Sequence, residues 1–142
     1  MTDAVLDVDA LVSATQPWLA TACLFPVGDG QPPADGTYPF AILYLLPMAP
    51  PYAIPLTDVE TVWPQKFQVT SVGRTPSQAK AAAARVLRTM AGKDTTGAYL
   101  VGPPSILGFT VIRRRSDRDG HADAADGLYQ WAETFTWDIH LD

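Results

Sequence analysis

The residues best suited to chemistry are the carboxylates of an acidic stretch near the C-terminal end of the chain. Between Arg115 and Asp126, four aspartates and a glycine fall at positions 3, 5, 6, 9 and 12 of the calcium-loop template: Asp117, Asp119, Gly120, Asp123 and Asp126. Position 1 of the template needs a carboxylate, but here it is Arg115, and strands rather than helices are expected on either side. We interpret the stretch as a solvated acidic hairpin tip, with calcium binding as the alternative.

The two histidines and the single cysteine form no metal-binding or catalytic pattern. His121 lies in the acidic stretch, His140 lies on the polar face of the last predicted strand, and Cys23 lies in the apolar run TACLF. A zinc site needs several such ligands at short spacing, and a nucleophile needs a positioned base. The glycines match neither a P-loop nor a dinucleotide fingerprint. We therefore expect no enzyme activity, no cofactor and no bound metal.

Positive charge is concentrated at the end of a predicted strand, in four arginines: Arg113, Arg114, Arg115 and Arg118. One interpretation is a solvated strand end whose arginines pair with Asp117, Asp119 and Asp123. The other is a contact with an acidic neighbouring surface or with DNA passing nearby. Because the formal net charge is −5, general affinity for nucleic-acid phosphates is not expected.

The element around which the chain is organised runs from Lys66 to Gly92. Its first residues alternate between apolar and polar side chains, as in a strand, up to Gly73. Thr75 and Gln78 then match a capping box, with a proline at the first helical position. A stripe at helical spacing follows and ends before Gly92: Ala79, Ala82, Ala83, Val86, Leu87 and Met90. The pattern predicts a strand, a tight turn and a helix whose alanine face packs closely.

The N-terminal third predicts one helix and one buried strand. Asp7 or Asp9 is expected to cap a helix that Pro17 ends or kinks, with its apolar face formed by Val8, Leu11, Val12 and Thr15. A short strand is predicted over Thr21 to Phe25, followed by a loop through VGDGQPPADGTYP. Phe40 to Leu46 is apolar on both faces, which is typical of a strand covered on both sides.

The C-terminal third predicts a polar turn at Lys93 to Thr96, a short strand at Tyr99 to Val101 and a hairpin. In the first long strand Phe109, Val111 and Arg113 share one face. The residues from Ser116 to Leu128 are predicted to form a long, polar tip. One face of the last strand is apolar apart from Glu133: Trp131, Phe135, Trp137, Ile139 and Leu141.

Together these elements predict an α+β fold, in which a mixed, largely antiparallel sheet of about four to five strands packs against two helices. The length of 142 residues suits a single domain spanning residues 1–142. Hydrophobic residues at 47% and charged residues at 18% are typical of a globular protein. One cysteine and the lack of a long apolar run favour a cytoplasmic protein without membrane contact.

Prolines are too frequent between Pro47 and Pro64 for regular structure. A loop of this length is often functional or in contact with a partner. It carries large apolar residues, namely Tyr52, Ile54, Leu56, Val62 and Trp63. These side chains either fold back over the core or insert into a neighbouring subunit, where aromatic residues are frequent contacts.

The order of these elements resembles the tail terminator, or tail-completion, proteins of long-tailed phages, especially those of actinobacterial hosts. The resemblance covers most of the chain and is most specific at QVTSVGRTPSQA, with YLLP before it and the acidic loop and aromatic strand after it. It implies a structural virion protein that forms a ring, hexameric in such families, at the head-proximal end of the tail tube. Such a ring ends tube polymerisation and provides the surface for head–tail joining.

The resemblance also implies partners and contact residues. The partners are further copies of the chain, the tail tube protein and the connector or stopper protein of the neck, with passing contact to DNA in the lumen. The candidate assembly contacts are Tyr52, Ile54, Leu56, Trp63, Arg113, Arg114, Arg115, Arg118, Asp119 and Asp123. The alternatives are another neck component, such as a head–tail connector or stopper, a tube protein, or a small ligand-binding α+β domain. Assembly into the virion is expected to take place in the host cytoplasm.

Overall fold

A computed structural model of the chain describes residues 8–46 and 62–142. Two helices lie against one sheet of six strands. The helices are α1 (Val8–Cys23) and α2 (Pro76–Ala91). The strands are β1 (Val27–Asp29), β2 (Phe40–Leu45), β3 (Val62–Gly73), β4 (Phe109–Ser116), β5 (His121–Ala125) and β6 (Leu128–Leu141). The predicted α+β class is confirmed, although the sheet has one strand more than the largest number predicted.

The sheet has the order β1-β2-β3-β6-β4, and β5 pairs with the first part of β6. β1 runs parallel to β2, whereas the other pairs are antiparallel. β4 and β5 therefore lie end to end along β6. Neither helix in the described parts of the chain is long and apolar enough to cross a membrane.

The predicted turn between β3 and α2 is confirmed. The Thr75 hydroxyl accepts a hydrogen bond from the Gln78 amide at 3.1 Å, which satisfies one free N–H of the first helical turn. The Gln78 side chain accepts from the Arg74 amide at 2.8 Å, one residue before the position expected of a capping box. The helix ends at Gly92, where a Cβ atom would lie 2.6 Å from the Arg88 carbonyl oxygen.

Pro17 does not end α1, and the strand predicted over Thr21 to Phe25 is wrong. The helix continues to Cys23, and its last two turns bury Leu19 and Cys23 completely. A proline inside a helix removes one hydrogen bond and costs about 3 kcal/mol. Burial of two apolar side chains offsets a cost of that size, at about 1.5 to 3 kcal/mol for a residue such as leucine. The chain leaves the helix at Leu24, whose φ of 61° breaks the helical geometry.

The proline-rich segment ends sooner than predicted. Residues 47–61 lie outside the described ranges, but Val62, Trp63 and Pro64 already belong to β3 and pair with β6. β2 pairs only with residues 67–72 of β3. Pro64 therefore lies in a part of β3 that does not pair with β2. Such a position tolerates a residue without an N–H.

The helices cover one face of the sheet, here called the inner face. The main core lies there and includes three of the predicted apolar residues of the last strand, Phe135, Trp137 and Ile139, which are fully buried. Alternate residues of β2 point to the outer face, where Phe40 and Ile42 form a smaller cluster with Val72. The prediction that β2 is apolar and buried on both faces is confirmed.

Three segments predicted as loop or strand differ in the structure. Val27–Asp29, placed in a loop by its glycine and aspartate, forms β1 beside β2. The strand predicted over Tyr99 to Val101 is reduced to a single bridge between Lys93 and Tyr99. The predicted long tip contains the strand β5, and the turn after it consists of Asp126 and Gly127, with φ values of 55° and 74°. Two adjacent residues at positive φ are typical of a type I′ hairpin turn.

Candidate assembly surfaces

A bulge in β4 decides where its arginines point. Val111 lies opposite Ile139, but Arg113 lies opposite Asp138, so Ile112 is an extra residue in the strand. An extra residue reverses the alternation of side chains beyond it. Arg114 therefore joins Phe109 and Val111 on the inner face. The prediction that Arg113 shares their face is wrong, and so is the prediction that all four arginines are at the surface.

Arg114 is 3% exposed and lies among aromatic rings. Its guanidinium carbon is 4.2 Å from the centre of the Tyr99 ring and 5.7 and 5.8 Å from those of Trp18 and Trp137. It donates hydrogen bonds to the carbonyl oxygens of Thr89 and Val101. No described carboxylate forms a salt bridge with it, and burial lowers the pKa of Arg114. It joins α2, β4 and the loop 92–108.

The other predicted charged contacts remain at the surface but do not form the expected pairs. Arg113 and Arg115 both contact Asp138, at 3.8 and 3.0 Å, on the outer face. Arg118 is exposed in the turn between β4 and β5, with a φ of 56°. Asp123 is exposed on β5, where its carboxylate accepts a hydrogen bond from the Ala124 amide at 2.8 Å. Whether these residues contact another subunit stays a prediction.

The first two aspartates of the acidic stretch hold the β4–β5 turn against β6. The Asp117 carboxylate accepts from the hydroxyls of Thr134 and Thr136 at 3.0 and 2.7 Å, and from Lys66 at 3.2 Å. Asp119 accepts from the Thr134 amide at 2.8 Å. Burial acts to raise the pKa of Asp117, but hydrogen bonds from Thr136 and two other side chains outweigh it and lower the pKa.

These contacts also bear on the calcium-loop template. Two of its carboxylates are hydrogen-bonded to a strand, and Asp123 lies within β5 instead of a loop. Within residues 8–46 and 62–142, no group of three histidine, cysteine or carboxylate side chains is placed to hold a metal ion. Calcium binding remains untested by these contacts, and the structure supplies no preformed site for it in the described residues.

Of the predicted apolar contacts, Tyr52, Ile54 and Leu56 lie in residues 47–61, outside the described ranges. Trp63 is in β3 opposite Ile139 and is half-buried. Because cross-strand partners share a face of the sheet, Trp63 lies on the inner face. It is thus part of the sheet rather than of a projecting loop.

A groove not foreseen from the sequence runs between α2 and the hairpin of β5 and β6. It consists of two pockets of about 620 and 330 Å³ that share Leu87, Trp131 and Glu133. We call it the α2–β6 groove. The apolar half is lined by Ala83, Ala84, Leu87 and Trp131, with Lys80 at its end. The other half is lined by Ala91, Gly92, Lys93, Arg114, Arg115, Ser116, Arg118 and Gly120.

The groove arises because α2 has two neighbouring stripes. The core-facing stripe comprises the buried residues Ala79, Ala82, Val86, Thr89 and Met90. Lys80, Ala83, Ala84 and Leu87 follow the same i, i+3, i+4, i+7 spacing one position further around the helix. The sequence pattern merged the two stripes and assigned Ala83 and Leu87 to the core, but Leu87 is 42% exposed. The i, i+3, i+4 spacing of Lys80, Ala83 and Ala84 was the signal for a second stripe.

Glu133 is the one acidic side chain among the described residues that line the groove. Burial raises the pKa of its carboxyl, a hydrogen bond with the Ser116 side chain opposes this, and the charge of Asp119 adds to it. Gly120 lies directly above, where a Cβ atom would be 2.8 Å from the Trp131 ring and 2.9 Å from a Glu133 oxygen. The glycine thus allows the β4–β5 turn to close over the floor of the groove.

Comparisons with known proteins place the fold. No family model matches the chain, and no curated protein matches it. A chain from the virion of a native gene transfer agent particle has a TM-score of 0.62 at 19% identity, over 96% of this chain and 99% of that one. A second solved protein, known only by a sequence designation, has a TM-score of 0.56 at 17% identity, over 95% and 96% of the two chains. At these identities the likeness shows a shared fold.

Proposed function

We propose that the protein is a structural component of a phage-like virion and not an enzyme. The observation that carries this proposal is the fold shared with a chain of the gene transfer agent virion, which extends over nearly the whole of both chains.

Within the virion, we propose the role of tail terminator. Copies of the chain form a ring, hexameric by the resemblance, on the head-proximal end of the tail tube. The ring stops tube polymerisation and provides the surface that the connector or stopper protein binds. Three features support this role: the resemblance at the β3–α2 unit, the exposed groove beside α2, and a hairpin of β5 and β6 that extends along the sheet edge.

The role is tested by making particles without this gene and measuring tail length by electron microscopy. We expect tubes much longer than those of intact particles, because nothing stops their polymerisation, and heads that lack tails. Restoring the gene in trans should return tails to a single length. Tails of normal length that are detached from heads would instead identify a connector or stopper, and absence of tubes would identify a tube protein.

A further inference from the structure

We propose that the α2–β6 groove is the receptor for residues 47–61 of a neighbouring copy of this chain. The proposal rests on ring formation under the proposed function and names the two surfaces that make the contact. One half of the groove is apolar, with the exposed Leu87 in its wall and the half-buried Trp131 in its floor. An apolar surface of this kind gains stability when a partner covers it.

The chemistry of residues 47–61 is complementary to that of the groove. The segment contains five large apolar residues, namely Met48, Tyr52, Ile54, Leu56 and Val59. Its only charges are those of Asp58 and Glu60. The groove offers the alanine stripe and Leu87 to the apolar side chains, and its open ends carry the exposed cations Lys80, Lys93 and Arg118. Acidic groups next to an apolar run therefore meet basic groups next to an apolar floor.

The length of the segment argues for a neighbouring copy instead of the same subunit. Sixteen Cα steps join Leu46 to Val62 and give a contour of about 55 Å. Trp131 lies opposite Ser71 in the sheet, about 30 Å from Val62 along β3 and about 20 Å from the end of β2. To reach Trp131 in its own subunit, the segment would have to be almost fully extended from the end of β2 to Trp131 and from there back to Val62. It would have no length left to lie along the groove, which extends about 20 Å from Lys80 to Lys93.

A contact of this kind is head-to-tail. The segment leaves the sheet between β2 and β3, whereas the groove lies between α2 and the strands at the β6 and β4 side. Each copy therefore contributes two different surfaces, and each surface is used once. Repetition of such a contact produces a closed ring when the rotation between copies closes, and otherwise a filament.

The test is cross-linking between two singly substituted chains that are mixed in equal amounts. One carries Leu56→Cys and the other Leu87→Cys, and a short bismaleimide linker joins thiols that lie close together. The matched control replaces Leu87→Cys by Ile112→Cys, since Ile112 is also about half exposed but lies on the edge of β4. Native Cys23 is buried, and burial raises the pKa of its thiol, so it does not compete.

We expect the Leu56–Leu87 pair to give at least about fivefold more cross-linked dimer than the control pair, because binding raises the local concentration of the two thiols. Adding Lys80→Glu to the chain that carries Leu87→Cys should reduce that yield. If Leu87→Cys folds poorly, Ala84→Cys is used in its place. Equal yields in the two pairs would overturn the proposal. So would cross-linking of Leu87→Cys to Val5→Cys instead of Leu56→Cys, or linkage only within a chain that carries both cysteines.

The outcome is separable from that of the tail-length measurement. Normal tails in the absence of the gene would exclude the terminator role whether or not the groove binds the segment. Equal cross-linking with overlong tails would retain the terminator role and exclude this contact.

Discussion

Arg114 has a different role in the structure from the one that its neighbours in the sequence suggest. Among four nearby arginines in sequence it reads as part of a charged surface, yet it is buried beneath Tyr99 and hydrogen-bonded to two carbonyl groups. A guanidinium group suits this position because it is planar, stacks on rings and donates in several directions. The positive charge of β4 that remains available to a partner is that of Arg113, Arg115 and the adjacent Arg118.

Arg114→Lys is expected to lower the free energy of unfolding by about 2 to 3 kcal/mol, because an ammonium group loses the stacking and one of the carbonyl contacts. Arg113→Lys is the matched control, since Arg113 makes only an exposed ion pair at 3.8 Å; its effect should stay within about 0.5 kcal/mol. Urea unfolding of both variants measures the difference. Equal effects would mean that the ring of aromatic residues around Arg114 contributes little.

At this scale, the sequence predicted the residues of the turn before α2 and the apolar side of β6, because both depend on local patterns. It did not predict the burial of Arg114. That burial depends on the extra residue Ile112. Nothing in the sequence distinguishes this bulge residue from an ordinary strand residue. The same extra residue separates Arg113 from Phe109 and Val111, on which the predicted alternation was based.

The hairpin of β5 and β6 is the element in which prediction and structure differ most. The polar and small residues from Ser116 to Leu128 suggested a long tip, but five of them, His121–Ala125, form β5 against Gln130 and its neighbours. The signal was present, because Asp-Gly is among the strongest indicators of a two-residue hairpin turn. β5 is exposed along its whole length, so its sequence lacks the apolar alternation by which strands are usually recognised.

Gly127→Ala is expected to destabilise the protein by about 1 to 2 kcal/mol, because Gly127 has a φ of 74° that residues with a Cβ adopt at that cost. Gly102→Ala is the control, since Gly102 has no left-handed geometry and no atom within 4 Å of an added Cβ. Thermal unfolding of the two variants gives the comparison. A loss of stability in Gly102→Ala as large as in Gly127→Ala would contradict the assignment of a type I′ turn.

For the whole molecule, the sequence predicted the class of fold because its strongest elements are adjacent in the chain. The β3–α2 unit and the β4–β6 pairing establish most of the sheet and one helix of the covering layer. The α2–β6 groove was not predictable in the same way, because it is formed between elements that are about 45 residues apart in the chain. It also depends on the second stripe of α2, two residues of which, Ala83 and Leu87, the sequence pattern assigned to the core face.

Under the proposed function, the chain is one subunit of a ring. Its α+β scaffold positions the α2–β6 groove and the hairpin of β5 and β6 on one side, and the end of β2 and the start of β3, which residues 47–61 join, on another. Such a division of surfaces is what a head-to-tail ring requires.

The most direct test of the central claim is electron cryomicroscopy of the neck of the particle that carries this chain. We expect a single ring between the last layer of the tail tube and the connector, into whose density the sheet and α2 of this chain fit, with residues 47–61 of each copy lying in the α2–β6 groove of the next. Density for the chain repeated along the tube, or located on the head side of the connector, would contradict the terminator assignment.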